Sequence, residues 1–451
     1  MSRILVTGIN YAPESIGTGK YTAELCEWLA ARGHDVRVVT APPYYPAWQV
    51  WPQHRTRWFR RVRHAGVDVI RCPIWVPPQP RGLTRILHLL SFALSSAAAL
   101  ACSIAWRPQL VINIAPTLAS APGAWLLARA SGAKCWLHVQ DFELDAAMDM
   151  GIVAAGPLRR LALAAERWLL GRFDVVSTIS TRMLARMQGK GVDAQCQELF
   201  PNWVDLDAIQ PLTAPSPYRA ELGIPTDAIV ALYSGNMGQK QGLELLAEAA
   251  NALSLLPPAG EGARRADEGA PPLHFVFGGE GPARAMLEAA CAGLPNVHIL
   301  GLQPTARLQD WLGLADIHLL PQRADVADLV MPSKLTGMLA SGRAVLATAR
   351  PGTGVAEAIA HCGIATVPGD TDAFVHALRQ LARDHAQRRQ LGSAARQQAV
   401  ATLGRDAILA RFEDRVAQLI NTVHPEPFDK AQDKLRRGAP KSKDNPKQDP
   451  A

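Results

Sequence analysis

The chain carries seven cysteines but no CxxC pair, and Cys26, Cys72, Cys102, Cys135, Cys196, Cys291 and Cys362 form no cluster with histidine. An odd, dispersed set excludes a zinc-finger spacing and reads as reduced thiols, not a disulfide framework. A secretory leader is also missing from the start, MSRILVTGINYAPES, where no long apolar core follows a basic opening. There is no Walker loop, because Tyr21 follows Lys20 and the first glycine of that motif would fall on Glu14. The dinucleotide fingerprint fails as well. Its third glycine position is Thr22, about ten residues separate it from the strand, and Val39-Thr40-Ala41-Pro42 offers no acid to an adenosine ribose. One stretch alone invites a membrane reading. From Ile86 to Ala105 there is no Lys, Arg, Asp or Glu, close to the about 20 residues that cross a bilayer. His88, four serines and an alanine-rich second half favour a helix packed in the protein or lying on a membrane over one that spans it.

What is present describes a soluble globular chain of more than one domain. Its 451 residues suggest two or three domains, with 48% hydrophobic and 19% charged residues. A net charge of +7 suits phosphorylated substrates or an anionic membrane surface. It equally suits a solvated basic surface with a basic tail. Ile4-Leu5-Val6 opens an alternation of short apolar runs and helical patterns, with a helix expected from Thr18 to Arg32 on the shared face of Tyr21, Leu25, Trp28 and Leu29. Strands are expected at Val36–Val39, Val67–Ile70, Leu110–Ile114, Cys135–Val139 and Val175–Ile179. After a proline-rich linker at 205–217 the alternation restarts, at Ile229–Tyr233, His274–Phe277, Val297–Leu300, Ile317–Leu320, Ala344–Ala347 and Ile364–Val367. Strands alternating with helices predict parallel sheets covered on both faces. The fold class is therefore α/β, with two Rossmann-like domains at 1–204 and 218–404 and a ligand cleft between the carboxyl ends of their sheets. A terminal helix is expected at 405–422 and a disordered basic tail at 423–451. Pro257–Pro272 reads as a surface insertion.

Five segments carry a resemblance. They are the loop before GTGKYTAEL with the following ARGHDVRVVT run; SGNMGQKQG at 234–242; FGGEGP at 277–282; IHLLP at 317–321; and MPSKLTGMLASG at 331–342. In this order and spacing they resemble glycosyltransferase family 4, of the GT-B fold, and most closely its branch of colanic acid fucosyltransferases. The similarity extends over about residues 1 to 420. It implies a retaining transfer from a nucleotide-sugar diphosphate, with GDP-fucose as the donor suggested by the branch and a lipid-linked oligosaccharide as acceptor. It also implies a cytoplasmic enzyme held peripherally at the inner membrane face, with no nucleic acid partner. No cofactor and no obligatory metal are expected, the nucleotide sugar being a co-substrate. Two other readings stay open: a sugar-nucleotide epimerase of the same fold, and a non-catalytic partner in a polysaccharide assembly complex.

The site residues follow from the resemblance and from charge. A departing diphosphate needs cations, and Lys240 beside a glycine-rich turn and Lys334 after a Pro-Ser turn are suited to it. Ser333, Leu335 and Thr336 fall where a helix start would offer N–H groups and hydroxyls. Gly17 and Gly19 open the first helix, and Gly279 sits in a tight strand-to-helix turn. In the first domain His138, ending an apolar strand, resembles the family's histidine near the transferred sugar. Asp141 is expected to orient it or to meet the acceptor. Two departures from the family pattern stand out: Gly337 replaces the ribose-binding glutamate, with Leu329 at the other glutamate position and Asp325 and Asp328 nearby. Asn236 stands where a basic residue is usual.

Overall fold

The structure is a computed structural model and describes residues 1–14, 17–55, 57–78, 82–149, 156–238, 241–254, 271–323 and 332–421. Fourteen strands occur among these residues: β1 Arg3–Gly8, β2 Asp35–Thr40, β3 Arg60–His64, β4 Val67–Arg71, β5 Leu110–Ala115, β6 Lys134–Val139, β7 Val175–Thr178, β8 Gln197–Leu199, β9 Ile229–Ser234, β10 Leu273–Gly278, β11 Val297–Leu300, β12 Ile317–Leu320, β13 Ala344–Thr348 and β14 Gly363–Thr366. They build two sheets, ordered β3-β4-β2-β1-β5-β6-β7-β8 and β11-β10-β9-β12-β13-β14. Every pairing is parallel except the β3–β4 hairpin. Counted within itself the second sheet runs 3-2-1-4-5-6, the doubly wound order that opens a crevice at the carboxyl ends.

Why the central strands form is plain from their composition. RILVTG and LVINIA are buried at almost every position because helices cover both faces, so apolar residues run without alternation. The two strands that sequence periodicity did not locate lack this signal. β3 is RRVRH, with only Val62 packing inward, and its charges suit an edge that must not pair further. β8 is three residues long.

The apolar segment around Ile86–Ala105 is the helix Gly82–Cys102, which packs on the first domain by one face only. His88, Phe92, Ser96, Ala99 and Leu100 face the first sheet, while Leu83, Leu87, Leu90 and Leu94 stay exposed. It belongs to the helix at Gly82–Trp106 that, among the described residues, is the one long and apolar enough to cross a membrane.

The chain crosses between the domains twice at one point. Val204 N–H bonds to the Leu403 carbonyl (2.9 Å) and Arg405 N–H returns to the Val204 carbonyl (3.0 Å). Beyond this crossing the helix Arg405–Asn421 lies on the first domain, burying Ile408, Leu409, Phe412 and Val416. The Phe412 ring sits 4.5 Å from that of Phe200 and 4.7 Å from that of Trp136. The last helix is therefore part of the first domain's core. The 423–451 tail, most of the 257–272 insertion and Lys240 lie outside the described residues.

Candidate functional site

The first domain presents its strand ends through two loops. After β1, Gly17 (φ +61°) caps the helix Thr18–Ala31. Gly19 packs closely on Glu14: a Cβ there would lie 3.1 Å from Glu14 Cβ and 3.2 Å from its carbonyl oxygen. Glu14 is 3% exposed. Its Oε1 accepts the backbone N–H groups of Tyr44 (2.7 Å) and Tyr45 (2.8 Å), and its Oε2 accepts from Asn10 Nδ2 (2.8 Å). Burial raises its pKa while these hydrogen bonds and Arg71 oppose the rise. Glu14 thus ties the glycine loop to the loop after β2. Sequence reasoning passed it over, although an acid between Pro13 and the glycines was the available signal.

His138 ends β6 and is 3% exposed. Its Nδ1 lies 2.9 Å from Ser177 Oγ, which also accepts the Trp136 indole N–H at 2.7 Å. An indole nitrogen only donates, so the Ser177 oxygen accepts from Trp136 and keeps both a hydrogen and a second lone pair for His138 Nδ1. Burial pushes the ring's pKa down to about 3, which keeps it neutral. Unlike His88 Nε2 and His318 Nδ1, His138 Nε2 is not a buried orphan. The site therefore holds a neutral imidazole that offers one N–H. Its orientation comes from Ser177 and from the Phe200 ring 5.0 Å away.

In the second domain the loops after β9 and β10 interlock. Gly235 N–H bonds to the Gly278 carbonyl, Met237 N–H to the Glu280 carbonyl and Ala283 N–H to the Met237 carbonyl, each at 2.9 Å. A Cβ on Gly279 would stand 1.8 Å from the Gly235 oxygen. This close approach accounts for glycine there, and the Gly279 N–H itself is taken by the Leu300 carbonyl at 3.0 Å. Asn236 is exposed on the rim, its carbonyl accepting from Tyr233 Oη at 2.6 Å.

The helix Lys334–Ala340 opens just after Pro332-Ser333. Lys334 Nζ rests 4.2 Å from the Tyr233 ring centre and donates to Gln241 Oε1 at 3.3 Å. The residue as a whole is part-buried, but its ammonium sits inside this wall, and burial pushes its pKa down to about 7. Leu335 is buried in the domain core and its N–H bonds to the Pro332 carbonyl, so it contributes wall rather than a donor. Thr336 Oγ1 donates to the Ser333 carbonyl (2.9 Å) and lies near enough to the Tyr21 hydroxyl of the first domain to oppose the rise that burial gives its pKa. The structure thereby brings the Gly17–Gly19 helix start and the Ser333–Thr336 helix start together across the cleft. A second crossing pairs Arg182 Nε with Glu357 Oε1 at 3.0 Å. At Gly337 a Cβ would lie 3.1 Å from Leu312 Cδ1, so the ribose-binding glutamate's place is lined by packed leucine. Lys240, Asp325, Asp328 and Leu329 fall outside the described residues. Among the described residues no three His, Cys, Asp or Glu side chains gather into a set that could hold a metal ion.

Two Rossmann-type sheets whose carboxyl ends face one cleft, with the chain recrossing to seal the first domain by its last helix, define a glycosyltransferase of the GT-B class. Residues 17–203 match the glycosyl transferase 4-like domain and residues 228–384 match the glycosyl transferases group 1 family. The chain is 40% identical over 422 residues to the protein named as the colanic acid biosynthesis glycosyl transferase WcaI of Escherichia coli (strain K12), covering 91% of this chain and 98% of that one. It belongs to glycosyltransferase family 4, in the WcaI-like group. Solved structures agree on the fold. The sucrose-phosphate synthase of Thermosynechococcus elongatus superposes with a TM-score of 0.71 at 18% identity, over 94% of this chain and all of that one. HepE of Anabaena, in complex with UDP and glucose, gives 0.65 at 15% identity over 93% of this chain and 100% of its own.

Proposed function

We propose that the chain transfers a sugar, with retention of configuration, from a nucleotide-sugar diphosphate to a lipid-linked oligosaccharide during surface polysaccharide assembly. GDP-fucose is the donor this reading favours. The observation that carries it is the juxtaposition of the Gly17–Gly19 and Ser333–Thr336 helix starts, with a part-buried lysine ammonium that has no carboxylate partner among the described residues. A diphosphate supplies the missing anion. Lys334, helped by Lys240, stabilises the charge that builds on the diphosphate as the bond to the sugar breaks. Asn236, Gly279, Ser333, Leu335 and Thr336 complete the donor wall. His138 donates its Nε2 hydrogen toward the sugar–phosphate junction, and domain closure excludes water. The relative HepE was crystallised with UDP and glucose, which supports a nucleotide-sugar site in this fold.

The test is transfer of label from a panel of GDP-, UDP- and ADP-sugars to lipid extracted from a polysaccharide-producing membrane. Donor conversion without acceptor would show an epimerase, and inertness toward every donor would show a non-catalytic partner. No metal is required in this reading, so EDTA should leave transfer intact; loss restored only by a divalent ion refutes that point. The enzyme works at the cytoplasmic membrane face, held by the exposed Leu83, Leu87, Leu90 and Leu94 of Gly82–Cys102 and by the basic surface. Failure to float with anionic liposomes at low salt would remove this part.

A further inference from the structure

One ion pair joins the two domains and has no part in the donor chemistry. In the first domain the helix Thr181–Gly189 begins just after β7. Ser180 caps it by accepting the Met183 N–H at 3.3 Å, which fixes the first turn and, with it, Arg182. In the second domain the loop after β13 leads into the helix Gly354–Ala358, which carries Glu357. Thr353 caps that helix by accepting the Ala356 N–H at 3.3 Å. Arg182 Nε lies 3.0 Å from Glu357 Oε1, and its second guanidinium nitrogen, Nη2, meets the same oxygen. That nitrogen also lies along the turn at Gly352, where a Cβ would stand 3.4 Å from it. Each helix is seated in its own domain, Met183 and Met187 in the core of the first and Val355 in that of the second. The pair therefore forms only where the two domains stand at one relative angle.

We infer that Arg182 and Glu357 are positioning residues, a latch that holds the domains at the angle where His138 faces the donor wall. This rests on the transferase reading above. β7 carries Ser177, whose hydroxyl lies 2.9 Å from His138 Nδ1, so Arg182 ties the strand and helix behind His138 to the donor domain. On the other side Thr348, the last residue of β13, locks that strand to the loop after β12. Its hydroxyl accepts the Gln322 N–H at 2.7 Å and donates to the Gln322 carbonyl at 2.8 Å. Glu357 thus stands on a rigid part of the donor domain. The side chains of the pair are 46% and 48% exposed, so water screens their attraction. A pair so placed changes an equilibrium by a factor of about 5 at most. That strength suits a latch that must open again to release product, because it shifts the balance of open and closed forms without locking it.

Charge reversal, made singly and then together, tests the latch. Arg182→Glu and Glu357→Arg each set like charges against each other, and the single-turnover rate of sugar transfer should fall about 5-fold or more. The Tm should hold, because neither side chain belongs to a core. Small-angle scattering of the ligand-free variants should show a larger radius of gyration than wild type. Combining the two reversals restores an attractive pair, and both the rate and the radius should return toward wild type, which loss of a merely structural contact would not give. Raising the salt to about 1 M should narrow the gap between wild type and the single reversals. Single reversals with the wild-type rate overturn the assignment, and so does a double reversal as slow as either single one. Should a reversal lower the Tm, Arg182→Gln and Glu357→Gln give the comparison without added charge, and wild-type rates in both overturn it equally. In all these cases the wild type still transfers sugar and the transferase reading stands. A wild-type protein that transfers no sugar removes that reading and this one with it.

Discussion

The donor-binding role proposed for Lys334 makes affinity depend on pH in a way that can be worked out beforehand. In the free protein burial holds its pKa down to about 7, so the ammonium is half lost at neutrality. A phosphate charge about 4 Å away, at an effective dielectric of about 20, contributes about 4 kcal/mol, which lifts the bound pKa by about 3 units. The protonated form is thus the one that binds, and above pH 7 each binding event takes up a proton. Affinity is flat below the free value and falls as pH rises through it. Between pH 7 and 9 the loss is about 50-fold, or about 2.3 kcal/mol. A nucleotide-sugar diphosphate keeps its charge across this window, so the change belongs to the protein. Titration calorimetry of the donor in buffers of different ionisation enthalpy reads both the affinity and the proton uptake. Lys334→Arg should flatten the pH dependence, because a guanidinium stays charged. Equal affinity at both pH values with no proton uptake would refute the argument. The stability sign is separate: the unfolded lysine titrates near 10.5, so the free protein gains stability from Lys334 as pH rises from about 7 toward that value.

Three further outcomes follow from packing and burial. Gly279→Ala should destabilise the second domain by about 2–5 kcal/mol, since its Cβ would strike the Gly235 carbonyl at a φ of +153°; a melting curve like that of wild type would contradict this. Phe412→Ala should cost about 3–5 kcal/mol and expose the first domain's Trp136 and Phe200, read as a lower Tm with a shifted tryptophan emission. His138 and His318 are buried and neutral, their pKa values pushed down to about 3. The unfolded chain binds those protons below about pH 6.5, so stability should fall by about 2–3 kcal/mol per pH unit from there toward pH 4. Denaturant midpoints that stay level across that range would show that neither ring is held neutral.

The fold was legible because its strands are buried on both faces. The ILV, LVINIA and IHLL runs carry their own signal, and glycines and prolines mark the turns between them. β3 escaped because an edge strand is stabilised by backbone pairing while its side chains, Arg60, Arg61 and Arg63, face water. The last helix was visible as a helix, but nothing local in it says that Phe412 stacks in the other domain's core, some two hundred residues back along the chain at Phe200. The site divides the same way. Residues in motifs, such as His138 and Lys334, stood out in the sequence; Glu14 and Ser177 did not, because what they do lies in which backbone N–H or ring nitrogen they reach across strands.

Gly337 shows how far a motif comparison goes before geometry takes over. The sequence shows a glutamate absent from the donor wall, which suggests an open place that a mutation could refill. The structure shows Leu312 Cδ1 3.1 Å from where a Cβ would stand, with Ile209 Cδ1 at 3.9 Å. A glutamate there would press on the Leu312 methyl, which must shift by a few tenths of an ångström, and overpacking of that kind costs about 1–3 kcal/mol. The loss of the glutamate is therefore coupled to how the helix Lys334–Ala340 packs on its own domain. The donor wall proposed for this chain would be held by that packing, with the Ser333 and Thr336 hydroxyls at the start of the same helix. Reintroducing the acid alone would weaken the helix that positions Lys334.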